Sequence, residues 1–256
     1  MDPTISQRFA EGWKRYFPGS ELPIAYWYSD SVDPATQAPH ATGHRCIICD
    51  LARVRRGDVI AFDKTAVACG GGKRYLGFSS ELHPRFEHFL SCGIPGKLEG
   101  ERYKKSPRLV REMMKEQAAF EAPGRYIIFA PWDLLRGPDQ PEVVVFFATC
   151  DVLAGLFTLA NYDRVDPHGV IAPMGSGCSS IVQHPRRELA SDEPRAVLGM
   201  FDVSARPCVA GSELTFAVPW PLFTRMVANM DESFLITPSW TKVRDRISRH
   251  LECELR

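Results

Sequence analysis

The spacing of apolar positions changes character several times along the chain, and each change predicts an element. Phe9, Trp13 and Phe17, with Tyr16 beside them, recur at helical spacing and predict a helix over residues 4–17, ended by Pro18–Gly19. LPIAYWYS (22–29) reads as a strand, and the polar stretch 30–43 as a long loop. RCIICDLARVRRG predicts a helix closed by Gly57, after which DVIAFD and TAVAC flank Asp63–Lys64 as a short hairpin. Residues 79–105, with Pro84, Pro95 and several glycines, are irregular. Ser106–Pro107 is a helix start: a side-chain cap precedes a proline whose missing N–H is not needed in the first turn. That helix is expected to run through Leu109, Val110, Met113 and Met114 to Phe120, with Pro123–Gly124 as its stop.

In the second half, RYIIFAPW (125–132) and EVVVFFA are apolar strands, and GVIAPMGSGCSSIVQH reads as strand, glycine turn and short helix. VLGMFDVSA and ELTFAVP are further strands. Two helices finish the chain: one begins at Pro219–Trp220, the other at Thr237–Pro238 with Val243, Ile247 and Leu251 as its apolar stripe. Residues 143–160 are almost wholly apolar, a borderline length for a membrane span. A β-branched and aromatic opening followed by Asp151 instead divides the run into a buried strand (143–148) and a helix (about 150–161), whose start suits the Asp151 charge. The sum, about eight strands and seven helices intermixed, predicts an α/β or α+β fold: a mixed β-sheet covered by helices. No linker is visible, so residues 1–256 form one domain or two intimately packed halves.

Composition adds limits. With 45% hydrophobic and 24% charged residues the chain can bury a sizeable core. Lys+Arg and Asp+Glu are both 31, which disfavours a nucleic-acid partner, since binding to a phosphate backbone calls for a basic excess. The first residues carry no apolar leader, so the expectation is a soluble, cytoplasmic protein without a membrane partner. In a reducing compartment its eight cysteines are expected to stay out of structural disulfides, which raises metal binding and redox chemistry.

The cysteines have a pattern. Cys46 and Cys49 are a C-x-x-C pair, a spacing that suits one metal ion or cluster and equally suits dithiol redox work. Cys69 precedes Gly70, Gly71 and Gly72, Cys92 precedes a glycine, and Cys178 follows one in MGSGCSS. Glycine beside a ligating cysteine leaves room for a bulky cluster. The bland alternative is buried free thiols packing as small apolar groups. A strand leading into a glycine cluster beside a cysteine occurs at 65–72 and again at 170–178, which suggests two turns that face each other. His40, His44, Cys46 and Cys49 form a zinc-like set, although structural zinc ligands usually come as two pairs set further apart. Gly70–Lys73 is not a phosphate-binding P-loop, because Val67 and Arg74 stand where glycine and Ser or Thr are required. Gly175–Ser180 lacks the rest of a dinucleotide fingerprint but could still bind an anion. Cys178 could also serve as a nucleophile with His168 or His184 as base, a reading ranked below metal ligation. Arg102, Lys104, Lys105, Arg108 and Arg111 concentrate positive charge around a helix start, either as an anion clamp with Lys73 and Arg74 or as a solvated surface.

CGGGKRYLGF, FLSCGIPG, GERYKKSP, EVVVFFAT, GSGCSS and ELTFAVPWPLF together resemble the uncharacterised family known as domain of unknown function 169, over roughly residues 20–250. The features the family resembles fall on Cys46, Cys69 and Cys178. The resemblance implies a shared fold and carries no activity with it.

The leading expectation is therefore a cysteine-ligated metal centre, an iron–sulfur cluster before zinc, held by Cys46, Cys49, Cys69 and Cys178 with Cys92 as a substitute, and with a redox role and a redox partner. Gly70, Gly71, Gly72, Lys73, Arg74 and Arg102 would form its rim or hold an anionic substrate. The alternative is a protein or enzyme that binds a small carboxylate or phosphate in its glycine turns, with the cysteines mainly structural.

Overall fold

The computed structural model describes residues 3–37, 46–117 and 119–254. The chain opens with α1 (Pro3–Tyr16), β1 (Ile24–Ser29), α2 (Ile47–Val54), β2 (Ile60–Phe62) and α3 (Gly70–Tyr75). It continues through α4 (Phe86–Phe89), α5 (Pro107–Glu116), β3 (Tyr126–Pro131), β4 (Val143–Ala148) and α6 (Cys150–Ala160). After β5 (Val170–Ile171) comes a π-helical turn (Ser179–Gln183) running directly into α7 (His184–Glu188). The last elements are β6 (Ala196–Gly199), β7 (Leu214–Pro219), α8 (Trp220–Asn229) and α9 (Pro238–Glu254).

The strands make one seven-stranded sheet in the order β2-β3-β1-β4-β7-β6-β5. All neighbours are antiparallel except β5 and β6, which run parallel. This is the expected mixed sheet covered by helices, and of the two classes it is α+β. The halves of the chain are joined within the sheet, because β1 bonds to β3 on one side and to β4 on the other.

Side-chain alternation explains why the central strands read as unbroken apolar runs. Val144, Phe146 and Ala148 of β4 face one core with Phe9 and Trp13 of α1, Phe17 just after it, and Leu156, Phe223 and Trp240 from α6, α8 and α9. Val143, Val145 and Phe147 face a second core with Ile47, Leu51, Tyr75 and Ile181, from α2, α3 and the π turn. A strand covered on both faces has no polar face to alternate with. Residues 143–160 are thus a strand plus a helix, as the sequence predicts, and no helix among the described residues is long and apolar enough to cross a membrane. Val243 and Ile247 of α9 pack on the first core as predicted. Leu251, the third position of that stripe, lies outside the described side chains.

Three local expectations fail. TAVAC is not a strand: the Asp63 carboxylate accepts from Thr65 N, Thr65 Oγ1 and Ala66 N, curling the chain away from β2. VLGMFDVSA leaves the sheet after Gly199, where Met200 takes a φ of 67°. The helix predicted to Phe120 stops at Glu116. Its start is as expected, with Ser106 Oγ accepting from Leu109 N at 3.4 Å.

Candidate functional site

Gly70, Gly71 and Gly72 do not make a left-handed turn. They are the first turn of α3, capped by Cys69, whose sulfur accepts from Gly72 N at 3.4 Å. Gly72 is small for packing reasons: a Cβ there would lie 2.9 Å from Val67 Cγ1. A Cβ on Gly70 would meet nothing within 4 Å.

This turn packs against the π-helical turn, so the two glycine–cysteine segments do face each other. Gly175 and Ser176 lead into that second segment. Ser176 Oγ lies 3.2 Å from Cys178 Sγ and accepts from Ser179 N, while Ser179 Oγ donates to Ser176 O at 2.8 Å. Asp202, from the loop after β6, completes the junction. It accepts from Gly177 N at 3.0 Å with one oxygen and from the Tyr103 hydroxyl at 3.1 Å with the other.

Three of the four cysteines predicted as ligands, Cys46, Cys69 and Cys178, lie within electrostatic range of one another here. Burial pushes the Cys178 thiol well up, with the neighbouring Cys46, Cys69 and Asp202 adding to it. Burial also raises Cys46, in the field of Cys69 and Asp202. Tyr75 is pushed up to about 12, by burial first and then by Cys178. These groups hold their protons at neutral pH, whereas a cysteine nucleophile acts as the thiolate.

The metal expectation is therefore corrected. Among the described residues no group of three or more His, Cys, Asp or Glu side chains is gathered as a metal site. Cys49 is unavailable because it is bonded to Cys208, Cα to Cα 5.0 Å. That disulfide also overturns the expectation that the cysteines avoid such bonds. The zinc version loses Cys49 in the same way, and His40 and His44 lie outside the described residues. Cys92 sits away from the junction, in an exposed concavity shared with Lys97 and Arg102. A Cys178 nucleophile is not supported either: its thiol is raised rather than lowered, and His168 is exposed on another turn.

The predicted cations separate. Arg102 faces the Cys92 concavity, and Lys73 is half-exposed in the last turn of α3. Arg108 and Arg111 pair with Glu112 and Glu87, as a solvated surface would. Arg74 behaves differently. It is buried, donating to Ser80 O at 2.5 Å and Gln117 O at 3.2 Å, and its Nε has no partner. Gln117 in turn donates to Met174 O, tying Arg74 to the Gly175 turn. Also beside that turn is His184, likewise buried, with Nε2 unpartnered and 3.6 Å from where a Gly175 Cβ would stand. Burial, helped by Arg187 and opposed by Glu188, lowers His184 to about 4, so the ring is neutral at pH 7.

Sequence reasoning missed Asp202, Tyr103, Tyr75 and Gln117. D-x-S at 202–204 signals a local turn, and Ser204 does bond to Asp202. Nothing in the sequence shows that the same carboxylate reaches Gly177, 25 residues earlier.

Fold and site together define an α+β protein whose polar junction lies between two glycine–cysteine segments on one face of a mixed sheet. A family model matches residues 19–229, and the chain belongs to that family, described as Uncharacterised ArCR, domain of unknown function 169. No curated protein and no solved structure matches the chain.

Proposed function

We propose that the protein binds a small anion, a carboxylate or a phosphate, at the junction of the Cys69–Gly72 and Gly175–Gly177 segments. The observation that carries this reading is Arg74. A guanidinium buried without a carboxylate has its desolvation only partly offset by bonds to neutral carbonyls. Two of its five N–H groups are used, both on carbonyls, and the others are free for a planar or tetrahedral anion. The open space beside Gly70 and the neutral Nε2 of His184 supply room and a further hydrogen-bonding group. The raised thiols and Tyr75 add no negative charge of their own, and the Asp202 carboxylate is occupied by Gly177 N and the Tyr103 hydroxyl.

The test is thermal unfolding of the whole chain in inorganic phosphate and in acetate, against chloride at matched ionic strength. A ligand at 100 times its Kd stabilises by about 2.7 kcal/mol, a readily visible shift. The shift should vanish in Arg74→Gln and weaken in Gly70→Ala, which adds a methyl group only to open space. Equal melting in all three salts would overturn the reading.

A further inference from the structure

The C-x-x-C pair is not used by the anion-binding reading. Cys46 is the N-cap of α2 and Cys49 the third residue of that helix, with Cys49 N donating to Cys46 O at 3.1 Å. Both sulfurs thus belong to one helical turn, the spacing that allows two cysteines to be bridged. In this structure Cys49 is bonded instead to Cys208, and Cys46 is a free thiol. All three residues are only half-buried. A disulfide with a third thiol one turn away has two available connectivities.

We propose that Cys46, Cys49 and Cys208 form a thiol–disulfide exchange site in which the bond alternates between Cys49–Cys208 and Cys46–Cys49. The Cys46 thiolate attacks the sulfur of Cys49, and the Cys46–Cys49 bond forms as the Cys49–Cys208 bond breaks. The electron pair leaves on Cys208, which takes up a proton in place of the one Cys46 gave to solvent. One thiol and one disulfide stand on each side, so no external oxidant or reductant is consumed. Because the thiolate attacks and burial beside Cys69 and Asp202 holds the Cys46 proton, exchange accelerates as pH rises.

The exchange changes what holds the Asp202 loop. Cys208 ends a short 3-10 turn, Arg206–Cys208, a few residues after Asp202, and its bond to Cys49 is the covalent tie between that loop and α2. Arg206 still bonds to the carbonyls of Ala210, Gly211 and Glu213 after exchange, so the loop keeps its shape while losing its anchor. Asp202 holds Gly177 N and the Tyr103 hydroxyl, so the released form has a looser junction. This consequence rests on the anion-binding reading; the exchange itself does not.

The test is disulfide mapping of the full chain. After incubation at about pH 8, near the ordinary thiol pKa, the sample is acid-quenched, alkylated and cleaved with trypsin. Residues 46–53 form one peptide carrying both Cys46 and Cys49. Wild-type protein should give that peptide in two forms: cross-linked to the Cys208 peptide, and closed on itself with Cys208 alkylated. Cys208→Ser under mild oxidation should shift it wholly to the closed form, and Cys46→Ser should abolish the closed form. A wild-type sample with only the Cys208 cross-link, and with Cys46 fully alkylated, overturns the exchange even if Cys208→Ser fails to fold. Phosphate-dependent melting separates the two ideas. A closed peptide without any phosphate shift keeps the exchange and removes the anion site, whereas a shift without the closed peptide does the reverse.

Discussion

At the scale of single residues, three consecutive glycines have three different environments. Gly72 is confined by Val67 and Ile47, while Gly70 has an empty surround. Glycine inside a helix is worse than alanine by about 1 kcal/mol. Gly70→Ala should therefore raise stability by about 0.5–1 kcal/mol in denaturant titration while weakening anion binding. Gly72→Ala should lower stability by about 1–3 kcal/mol through overpacking. If both stabilised equally, the close approach at Gly72 would be of no consequence.

His184 gives a pH prediction at the same scale. Its folded value, about 4, lies below the ordinary histidine value of 6.5, so between them the unfolded chain binds the extra proton. The contribution of neutral His184 is intact above pH 6.5 and is lost as pH falls towards 4, amounting to about 3 kcal/mol. Denaturant midpoints of wild type and His184→Gln, followed from pH 7 to about 4.5, should show the wild type losing more stability than the variant. Parallel curves would mean that the ring is hydrated.

At the scale of elements, the π-helical turn is the main departure from what periodicity predicts. Five residues of wider helix precede Pro185, and Tyr26 of β1, fully buried, donates its hydroxyl to Val182 O at 3.1 Å. This bond ties the π turn to the sheet and fixes the segment that follows Gly175. Tyr26→Phe should lower stability by about 1–2 kcal/mol, since it removes the buried partner of a carbonyl. Amide exchange at 179–184 should rise with it, whereas exchange elsewhere should change little. Most helices were legible because caps and apolar spacing are local, as at Ser106–Pro107 and along Phe9, Trp13 and Phe17. The π turn was not, because a period of wider helix leaves no distinct apolar spacing, and its tie to the sheet is a tertiary hydrogen bond from a residue 156 positions away in sequence. The TAVAC error has the opposite origin: a local Asp63 turn overrode an apolar composition that suits a strand.

At the scale of the whole molecule, the Cys49–Cys208 bond spans 159 residues and joins α2 to the loop after β6. Closing so long a loop restricts the unfolded chain, and its loss typically costs about 2–4 kcal/mol. Cys49→Ser and Cys208→Ser should each lower the urea midpoint, and the double variant should be no worse than the more destabilised single one. Additive losses would show that each sulfur matters for packing and not for the bond.

The sequence by itself determined the sheet-and-helix class, the burial of the strand at residues 143–148, most element positions and the presence of two glycine–cysteine segments. These follow from local spacing, capping and strand burial, each of which is written in neighbouring residues. Only the tertiary structure decided which cysteines pair, that Arg74 is buried without a carboxylate, and that Asp202 closes the junction. The C-x-x-C at 46–49 has the same letters whether its second sulfur binds a metal, its neighbour or Cys208. Which of these occurs depends on the path of the chain between residues 49 and 208, and that path is set by the packing of both cores around the sheet.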